Sequence, residues 1–305
     1  MRVLVTGAAG LIGREVGRLL VASGDTIVNC DIADGSGDIC DTRRMREAVQ
    51  GCDGVIHLAA ISRVAWGEAD PQVCHQVNVS GTESVLAAAL AQARRPWFVF
   101  ASSREVYGDP DATPVQESAP LRPVNHYGRS KATGEALVGV AGAAGLRTAI
   151  LRLSNVYGGE NDHPDRALPA LMWRALNGED LRLSGLDAYF DFVHVEDTAR
   201  GIVAAARLLA QGAVCLPTVH LATGRATTLG GLAEQAIAVA KSHSRIVVLP
   251  SRSFDVKGFC GNPAFATNVL GWQAGISLDE GLHRFKALLL SRGRALQPVD
   301  MPLAS

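Results

Sequence analysis

The two residues best suited to proton transfer are Tyr127 and Lys131, which stand four positions apart in the run Tyr-Gly-Arg-Ser-Lys. If this run opens a helix, both side chains lie on the same face. A phenol has a pKa near ~10 and is a poor base at neutral pH, but an ammonium group held close to it favours the phenolate. The pair is therefore a candidate acid/base device, although Tyr and Lys at this spacing also occur together on ordinary solvated helix faces.

A third group that could take part is Ser103, at the end of the apolar run Trp97–Ser103. This run predicts a buried strand, and four prolines between residues 110 and 123 then predict a loop that leads to Tyr127. A hydroxyl at the carboxyl edge of a sheet, followed by Tyr-x-x-x-Lys, would place a hydrogen-bond donor and a base beside one substrate oxygen. The three residues together favour catalysis over a shared solvated face.

The beginning of the chain has the pattern of a dinucleotide-binding unit: a short apolar strand, a glycine-rich turn, an amphipathic helix, a second strand and then Asp31. Gly7 would let the chain turn off the strand, and Gly10 would let a pyrophosphate approach the helix N-terminus. Gly13 would let the helix pack closely on the sheet, and Asp31 could accept hydrogen bonds from the adenosine ribose. Since none of the eight residues after Asp31 is Arg or Lys, nothing there would meet a 2′-phosphate, and NAD is favoured over NADP.

Strand and helix patterns alternate along the rest of the chain, which predicts an α/β fold with a doubly wound parallel sheet. One strand ends in Ala59 and Ala60, which would leave room for a flat cofactor at the sheet edge. His57, just before them, is expected to be a packed residue rather than a ligand or base. His194 and Asp197 are expected at a helix N-terminus, and no metal site is predicted. Helices are predicted at residues 42–50, 83–92, 130–144, 164–176 and 229–240, and a strand at 245–249.

Composition excludes several classes of function. The chain has 305 residues, of which 48% are hydrophobic and 19% charged, so it can bury the core of one large domain or two unequal ones. A net charge of −1 without a basic cluster argues against nucleic acid or an anionic membrane as a partner. No apolar run reaches the length of a signal peptide or a membrane helix, and the six cysteines have no zinc-binding spacing. A cytoplasmic protein is expected.

Short motifs follow one another along most of the chain. The N-terminal ones are Thr6-Gly-x-x-Gly10-x-x-Gly13, Asp31, Gly37-Asp-Ile-x-Asp41, His57-Leu-Ala-Ala60, Asn78-Val-x-Gly-Thr82, Ser102-Ser-x-x-Val-Tyr-Gly108 and Tyr127-Gly-x-Ser-Lys131. The later ones are Arg152-Leu-x-x-Asn155-Val-Tyr-Gly158, Asp191-Phe-Val-His-Val-Glu-Asp197 and Leu270-Gly-Trp272. In this order they resemble the extended short-chain dehydrogenase/reductases, and most of all the NAD-dependent sugar-nucleotide epimerases and dehydratases.

The resemblance implies a Rossmann fold, NAD as the cofactor, and roles for individual residues. Tyr127 would be the acid/base acting on the sugar hydroxyl, and Ser103 would orient the same oxygen. Lys131 would bind the nicotinamide ribose and depress the Tyr127 pKa, and Asn155 would contact the substrate diphosphate. The implied cofactor-binding residues are Gly7, Gly10, Leu11, Ile12, Gly13, Asp31, Asp38, Ile39, Leu58, Ala59, Ala60, Asn78, Tyr127, Lys131 and Val156.

The two residues after Ser103 bear on the type of reaction. In the related 4,6-dehydratases an Asp-Glu pair stands there, the Glu removing a proton and the Asp assisting the loss of water, whereas this chain has Arg104 and Glu105. Because Arg cannot protonate a departing hydroxide at neutral pH, dehydration is disfavoured. Arg104 and Arg166 also stand where the bifunctional epimerase-reductases have Cys and His, which disfavours that activity. The resemblance thus implies a 4-epimerase.

Two alternatives to the epimerase stay open at this stage. One is an NAD(P)-dependent dehydrogenase or reductase of a keto sugar, a sugar acid or a related alcohol; the apparent preference for NAD favours the epimerase over it. The other is a non-catalytic NAD sensor, which is disfavoured because the whole Ser-Tyr-Lys triad is present.

The substrate is less determined than the reaction. Relatives commonly have an Arg that grips the nucleotide diphosphate just before Asp191, where this chain has Phe190. Arg252 could match the second phosphate-binding Arg of the family or be an ordinary surface residue. A nucleotide sugar is the expected substrate, with a free sugar, a sugar acid or a modified alcohol as alternatives. The expected substrate-binding residues are Ser103, Arg104, Glu105, Asn155 and Arg252.

Two units are predicted along the chain. A Rossmann domain for NAD spans residues 1–160, with 191–220 returning to it; a substrate lobe spans 161–190 and 221–290, and 291–305 form a tail. Two Ala-rich helices, one before Trp97 and one that carries Lys131, match those that the family pairs across a two-fold axis. The resemblance therefore implies a homodimer, although such helices would also suit close packing within a monomer.

Overall fold

The computed structural model describes residues 1–250 and 256–291, so Arg252 and residues 292–305 of the predicted tail lie outside the described residues. The strands are β1 Arg2–Thr6, β2 Thr26–Cys30, β3 Gly54–His57, β4 Trp97–Ser103, β5 Thr148–Leu153, β6 Asn155–Tyr157, β7 Leu181–Ser184, β8 Tyr189–His194, β9 Val219–Leu221, β10 Ala226–Thr228, β11 Ile246–Leu249 and β12 Gly258–Phe259. The α-helices are α1 Leu11–Ala22, α2 Thr42–Val49, α3 Val64–Ala69, α4 Pro71–His75, α5 Gly81–Leu90, α6 His126–Ala143, α7 Ala167–Leu176, α8 Val195–Ala210, α9 Leu229–Ala240, α10 Ala264–Leu270 and α11 Leu278–Ser291. In the described part of the chain, none of these helices combines the length and the apolar character needed to cross a membrane.

Six strands form the central sheet, in the order β2-β1-β3-β4-β5-β9, and every neighbouring pair is parallel. The chain winds outward from β1 in both directions, because β2 lies on one side of it and β3 on the other. The predicted α/β fold with a doubly wound parallel sheet is therefore confirmed. All carboxyl ends of these strands lie at one edge, where the residues that follow β1, β2, β3 and β4 meet.

Alternate residues of the central strands pack against helices on opposite faces. Val3 and Val5 of β1 pack with α1 and α8, whereas Leu4 packs with α2, α5 and α6. Successive side chains of a strand point to opposite faces, so a continuously apolar strand needs helices on both sides. β4 lies between β3 and β5 with Phe98 and Phe100 fully buried, which fixes the position of Ser103 at its end.

A second core lies around β8, which pairs with β6, β10 and β12. Helices α7, α9 and α11 pack on it through apolar residues such as Leu171, Leu232 and Phe285. Phe190 of β8 is fully buried in this core. The chain passes repeatedly between the two cores, since α8 and β9 return to the central sheet after α7 and β7.

The bounds of several elements agree with the sequence prediction, and three helices begin at different residues, among them α5, which begins at Gly81 rather than at residue 83. β4 and α9 span the predicted residues. α6 begins at His126 rather than at residue 130, because the Asn125 side chain accepts a hydrogen bond from the Gly128 backbone and caps the helix earlier. α7 begins at Ala167 rather than at residue 164, and the residues before it form turns.

His57 is a packed residue, as predicted. Its Nδ1 lies 2.7 Å from the Thr6 hydroxyl, its Nε2 lies 2.9 Å from the Thr82 hydroxyl, and its ring stacks on Phe100. Burial lowers the pKa of His57 to about 3. The ring is therefore neutral at physiological pH and ties β3 to β1 and α5.

His194 and Asp197 lie at the N-terminus of α8, also as predicted. The His194 ring accepts a hydrogen bond from the Glu196 backbone N–H, and the Asp197 carboxylate accepts two from the backbone of Gly275 and Ile276. These bonds hold the loop before α11 against α8, which is a structural role.

Candidate active site

Helix α6 carries Tyr127 and Lys131 near its N-terminus. Asn125 caps this helix by accepting a 2.7 Å hydrogen bond from the Gly128 backbone N–H. A side chain at position 128 would not fit, because a Cβ there would stand 2.5 Å from the carbonyl oxygen of Glu105. The start of the helix therefore packs directly on the 3₁₀ turn that follows β4, which brings the Tyr127 side chain next to the end of that strand.

Tyr127 and Ser103 both line the same cavity, and hydrogen bonding with Ser103 acts to lower the pKa of Tyr127. Burial raises the pKa of Tyr127 to about 12, against the lowering effects of the Ser103 hydrogen bond and of the Arg166 and Arg104 charges. The expectation that the Tyr127 pKa is depressed is therefore wrong in this structure. Burial destabilises the phenolate by removing it from water, and this free-energy cost is larger than the stabilisation that the neighbouring groups provide.

Lys131 points its ammonium group toward the sheet. The Nζ atom donates a 2.8 Å hydrogen bond to the Ala101 carbonyl oxygen of β4 and lies 5.0 Å from the centre of the Phe100 ring. The same atom lies 6.0 Å from the centre of the Tyr127 ring. Burial lowers the pKa of Lys131 to about 8, so the group can exchange its proton near neutral pH.

Arg104 and Glu105 form a buried ion pair directly after Ser103. Arg104 Nη2 lies 2.9 Å from Glu105 Oε1, and the two side chains are only 7% and 6% exposed. The Arg104 guanidinium also lies 4.4 Å from the centre of the Phe190 ring, and its Nε donates a hydrogen bond to the Asn155 side chain. Relatives commonly have an Arg where this chain has Phe190. Here a guanidinium group is also present beside residue 190, but it belongs to Arg104.

The glycine-rich turn after β1 leaves no space for additional side chains. A Cβ on Gly13 would stand 2.1 Å from the Gly7 carbonyl oxygen, and Gly7 itself has a φ of +71°. Gly10 precedes α1 without a side chain, so the backbone N–H groups at this helix N-terminus can be approached by an anion. Asp31, at the end of β2, accepts a 2.9 Å hydrogen bond from the Ala9 backbone, which holds the turn beside its carboxylate.

A cavity of about 490 Å³ joins these parts of the molecule. It is lined by the three predicted catalytic residues, Ser103, Tyr127 and Lys131, and by the predicted substrate residues Arg104, Glu105 and Asn155. It is also lined by the predicted cofactor residues Gly7, Gly10, Leu11, Ile12, Gly13, Asp31, Asp38, Ile39, Leu58, Ala59, Ala60 and Val156. The structure thus brings the glycine-rich turn near the N-terminus and the Ser-Tyr-Lys residues from the middle of the chain to one cavity.

Asn78 is a predicted cofactor residue that is not among those that line this cavity. Its side chain donates hydrogen bonds of 3.0 Å to the Ile61 carbonyl and 2.9 Å to the Ser130 hydroxyl, and it accepts one of 2.7 Å from the Ile61 backbone N–H. It therefore supports the loop after β3 and the helix α6 from behind. Arg252, the remaining predicted site residue, lies outside the described residues.

Several residues that line the cavity were not identified from the sequence. Arg63 forms an ion pair with Asp165, and the Trp66 and His163 rings meet edge to face with 5.1 Å between their centres. These contacts connect the loop after β3 to the segment before α7. The two segments are about a hundred residues apart and have no recognisable spacing, so no signal in the sequence could have paired them.

Comparison with known proteins assigns this architecture to a family. The sequence profile of the NAD dependent epimerase/dehydratase family matches residues 3–214. The chain belongs to this family. A UDP-glucose 4-epimerase from Rhizobium meliloti (strain 1021) is 33% identical over 302 residues, which cover 89% of this chain and 92% of that protein. A dTDP-glucose 4,6-dehydratase from Streptomyces griseus is 34% identical over 227 residues, which cover 66% of this chain and 68% of that protein. The crystal structure of the Thermus thermophilus UDP-glucose 4-epimerase in complex with NAD has 26% identity and a TM-score of 0.85, and the match covers 94% of this chain and 98% of that chain.

Membership of the epimerase/dehydratase family makes the protein an NAD-dependent enzyme of the extended short-chain dehydrogenase/reductase type. The predicted family and cofactor are therefore confirmed. The residues present also fit NAD, because Gly10 leaves the backbone N–H groups at the start of α1 open to an anion such as a pyrophosphate, and an acidic side chain, Asp31, follows β2 and lines the same cavity. When bound, NAD supplies the acceptor and donor of a hydride.

Proposed function

We propose that the protein is a nucleotide-sugar 4-epimerase that oxidises a sugar hydroxyl transiently and then reduces it again. The observation that carries this proposal is the convergence of Ser103, Tyr127 and Lys131 on the cavity that also contains the glycine-rich turn. The relatives named UDP-glucose 4-epimerase match nearly the whole chain, which supports the same reaction here.

In this mechanism the phenolate form of Tyr127 takes the proton of the C4 hydroxyl as the hydride leaves the carbon, and Ser103 donates a hydrogen bond that orients the reacting oxygen. Tyr127 returns the proton when the keto sugar is reduced from its other face. The proton and the hydride both return to the sugar, so the reaction has no net redox change. Lys131, on the same helix face, holds the nicotinamide ribose.

A 4,6-dehydratase is the second candidate, because one of the more similar relatives carries that name and Glu105 is present. Dehydration requires an acid beside the departing hydroxide. Arg104 occupies the position next to Ser103 and is paired with Glu105, and a guanidinium does not give up a proton at neutral pH. The ion pair therefore favours the epimerase.

The test is incubation of the purified protein with UDP-, GDP-, dTDP- and CDP-sugars, beside free sugars and uronic acids, without added cofactor. We expect NAD to copurify, the 4-epimer to form and no net NADH to accumulate. Stoichiometric release of NADH would support a dehydrogenase instead, and a product that has lost water would support a dehydratase.

Substitution of the proposed acid/base sharpens this test. Tyr127→Phe should lower the rate by about 10²- to 10⁴-fold and leave NAD bound. Tyr189→Phe is the matched control. The Tyr189 hydroxyl forms a 2.8 Å hydrogen bond with the Thr113 hydroxyl, and Tyr189 does not line the cavity. Activity that survives Tyr127→Phe would contradict the assigned role.

We further propose a homodimer formed through α5 and α6. The 70% exposure of the apolar Val140 on α6 supports a partner at that face. We also propose that the chain is divided into an NAD domain, residues 1–160 with 191–220, and a substrate lobe, residues 161–190 and 221–290. Size-exclusion chromatography with light scattering tests the dimer. A cytoplasmic location stays a prediction from the sequence.

A further inference from the structure

Glu105 connects two parts of the active site through buried contacts. One carboxylate oxygen, Oε1, pairs with Arg104 at 2.9 Å, and the other, Oε2, accepts a 2.8 Å hydrogen bond from the Asn125 side-chain amide. Asn125 in turn accepts the 2.7 Å bond from Gly128 that caps the helix of Tyr127. Glu105 and Asn125 are 5% and 1% exposed, so both contacts are shielded from water.

The backbone of Glu105 is attached to the same site. Its N–H donates a 3.2 Å hydrogen bond to the Ser103 hydroxyl, and its carbonyl oxygen lies against Gly128 at the start of α6. One residue thus contacts the end of β4, the start of α6 and the arginine that bonds Asn155.

We propose that Glu105 is a positioning residue that holds the Tyr127 helix in register with Ser103, and that it is not a base that removes a proton from a sugar carbon. The Glu105 carboxylate accepts from both a guanidinium and an amide, and these two contacts fix its orientation. Both acceptor oxygens are also directed at protein groups. The inference rests on the proposed function only in taking Tyr127 as the acid/base.

The charge of Glu105 gives this role a signature that a purely structural residue would lack. The charged groups that face the Tyr127 side chain are Glu105, Arg104, Arg166 and Lys131. The negative charge of Glu105 raises the pKa of Tyr127, whereas Arg104 and Arg166 lower it. Neutralising Glu105 and neutralising Arg104 should therefore move the pH dependence of the reaction in opposite directions.

The experiment measures the rate of NAD reduction in single turnovers as a function of pH, in the NAD-loaded protein. One limb of this pH–rate profile should follow the ionisation of Tyr127. In Glu105→Gln we expect this limb to move to lower pH by roughly one unit, and in Arg104→Gln we expect it to move to higher pH. Glu68→Gln is the matched control. Glu68 accepts a 2.8 Å hydrogen bond from the His126 backbone N–H at the same helix N-terminus, but it is not among the groups named above as shifting the pKa of Tyr127. This variant should leave the limb in place.

A double-mutant cycle tests whether Glu105 acts through the cap. Asn125→Ser keeps a capping hydroxyl but removes the amide that binds Glu105. If Glu105 acts through Asn125, the double variant with Glu105→Gln should lose no more rate than the more damaged single variant. Additive losses would overturn the inference, as would an unmoved limb in Glu105→Gln.

A dehydrated product that wild type forms and Glu105→Gln abolishes would also overturn it, since Glu105 would then be the base. Failure of the proposed function is distinguishable, because absence of the 4-epimer leaves the limb of NAD reduction measurable. If no sugar in the panel reduces the NAD, ultraviolet titration of the phenolate, as the difference from Tyr127→Phe, reads the same two shifts of opposite sign.

Discussion

Gly13→Ala tests whether the close packing of α1 on the glycine-rich turn forms the cofactor site. A Cβ at position 13 would stand 2.1 Å from the Gly7 carbonyl oxygen and 2.8 Å from the Ala8 Cα. Both neighbours are backbone atoms, so the helix must move away from the turn. Overpacking typically costs about 1–3 kcal/mol, and we expect the upper end here. For a chain of this size that corresponds to a fall in Tm of about 6 °C.

Gly17→Ala is the matched control on the same helix. A Cβ at position 17 would meet only the end of the Ile27 side chain, at 3.4 Å, which is an ordinary contact. Ala is also a better helix former than Gly by about 1 kcal/mol. The Gly17→Ala protein should therefore keep or slightly raise the Tm, and it should keep its NAD.

The assay is thermal unfolding with and without NAD, together with the NAD content released from the purified protein by heat. Wild type and Gly17→Ala should carry NAD and gain stability from it, because a ligand that binds only the folded state raises the Tm. Gly13→Ala should carry little NAD and gain little. A Gly13→Ala protein with the NAD content and Tm of the control would refute the packing argument.

Three further perturbations have definite expected outcomes. Arg152→Met should cost about 3–5 kcal/mol in urea unfolding, because buried Glu135 loses its charged partner, now bonded at 2.8 and 2.7 Å, and keeps only the neutral Ser102 hydroxyl; an unchanged unfolding midpoint would contradict this. Asp31→Asn should weaken NAD binding about tenfold in a fluorescence titration, since a neutral amide replaces the charged acceptor, and equal affinity would argue against a ribose contact. Lowering the pH from 7.5 to 5 should cost about 2 kcal/mol for each of His57 and His220. Burial lowers both pKa values from 6.5 to about 3, so below pH 6.5 the unfolded chain binds protons that the folded protein does not. A free energy of unfolding that is independent of pH over this range would contradict the assignment of these two histidines as neutral in the folded state.

The parts of the fold that could be predicted are those encoded by local patterns. β4 is a continuous apolar run with Ser103 at its end, and α9 begins after the capping residue Thr228, so both have the predicted bounds. The pairing of Tyr127 with Lys131 needed only helical spacing. In contrast, Arg63 meets Asp165 through the folded arrangement of two loops, and no local pattern encodes such a contact.

The electrostatics of the site could not be predicted for a related reason. Helical spacing correctly placed Lys131 on the face of Tyr127, but it carries no information about how far the phenol is buried. Burial raises the Tyr127 pKa, and the groups that oppose it include Arg104 and Arg166, which come from different segments of the chain. The direction of the pKa shift depends on the balance between desolvation and charges from distant segments, and this balance is set only in the folded structure.

This competition links the substrate side of the cavity to the proton-transfer step. Arg104 is the residue that bonds Asn155 and lies on Phe190, and its charge is also one of those that lower the Tyr127 pKa. A substrate group that draws the Arg104 charge away from Tyr127 would raise the cost of the phenolate, whereas one that leaves the pair with Glu105 intact would not. Substrates that differ near Arg104 should therefore differ in the pH dependence of the rate as well as in affinity. Equal pH profiles for a neutral and an acidic sugar would show that the two functions of Arg104 are independent.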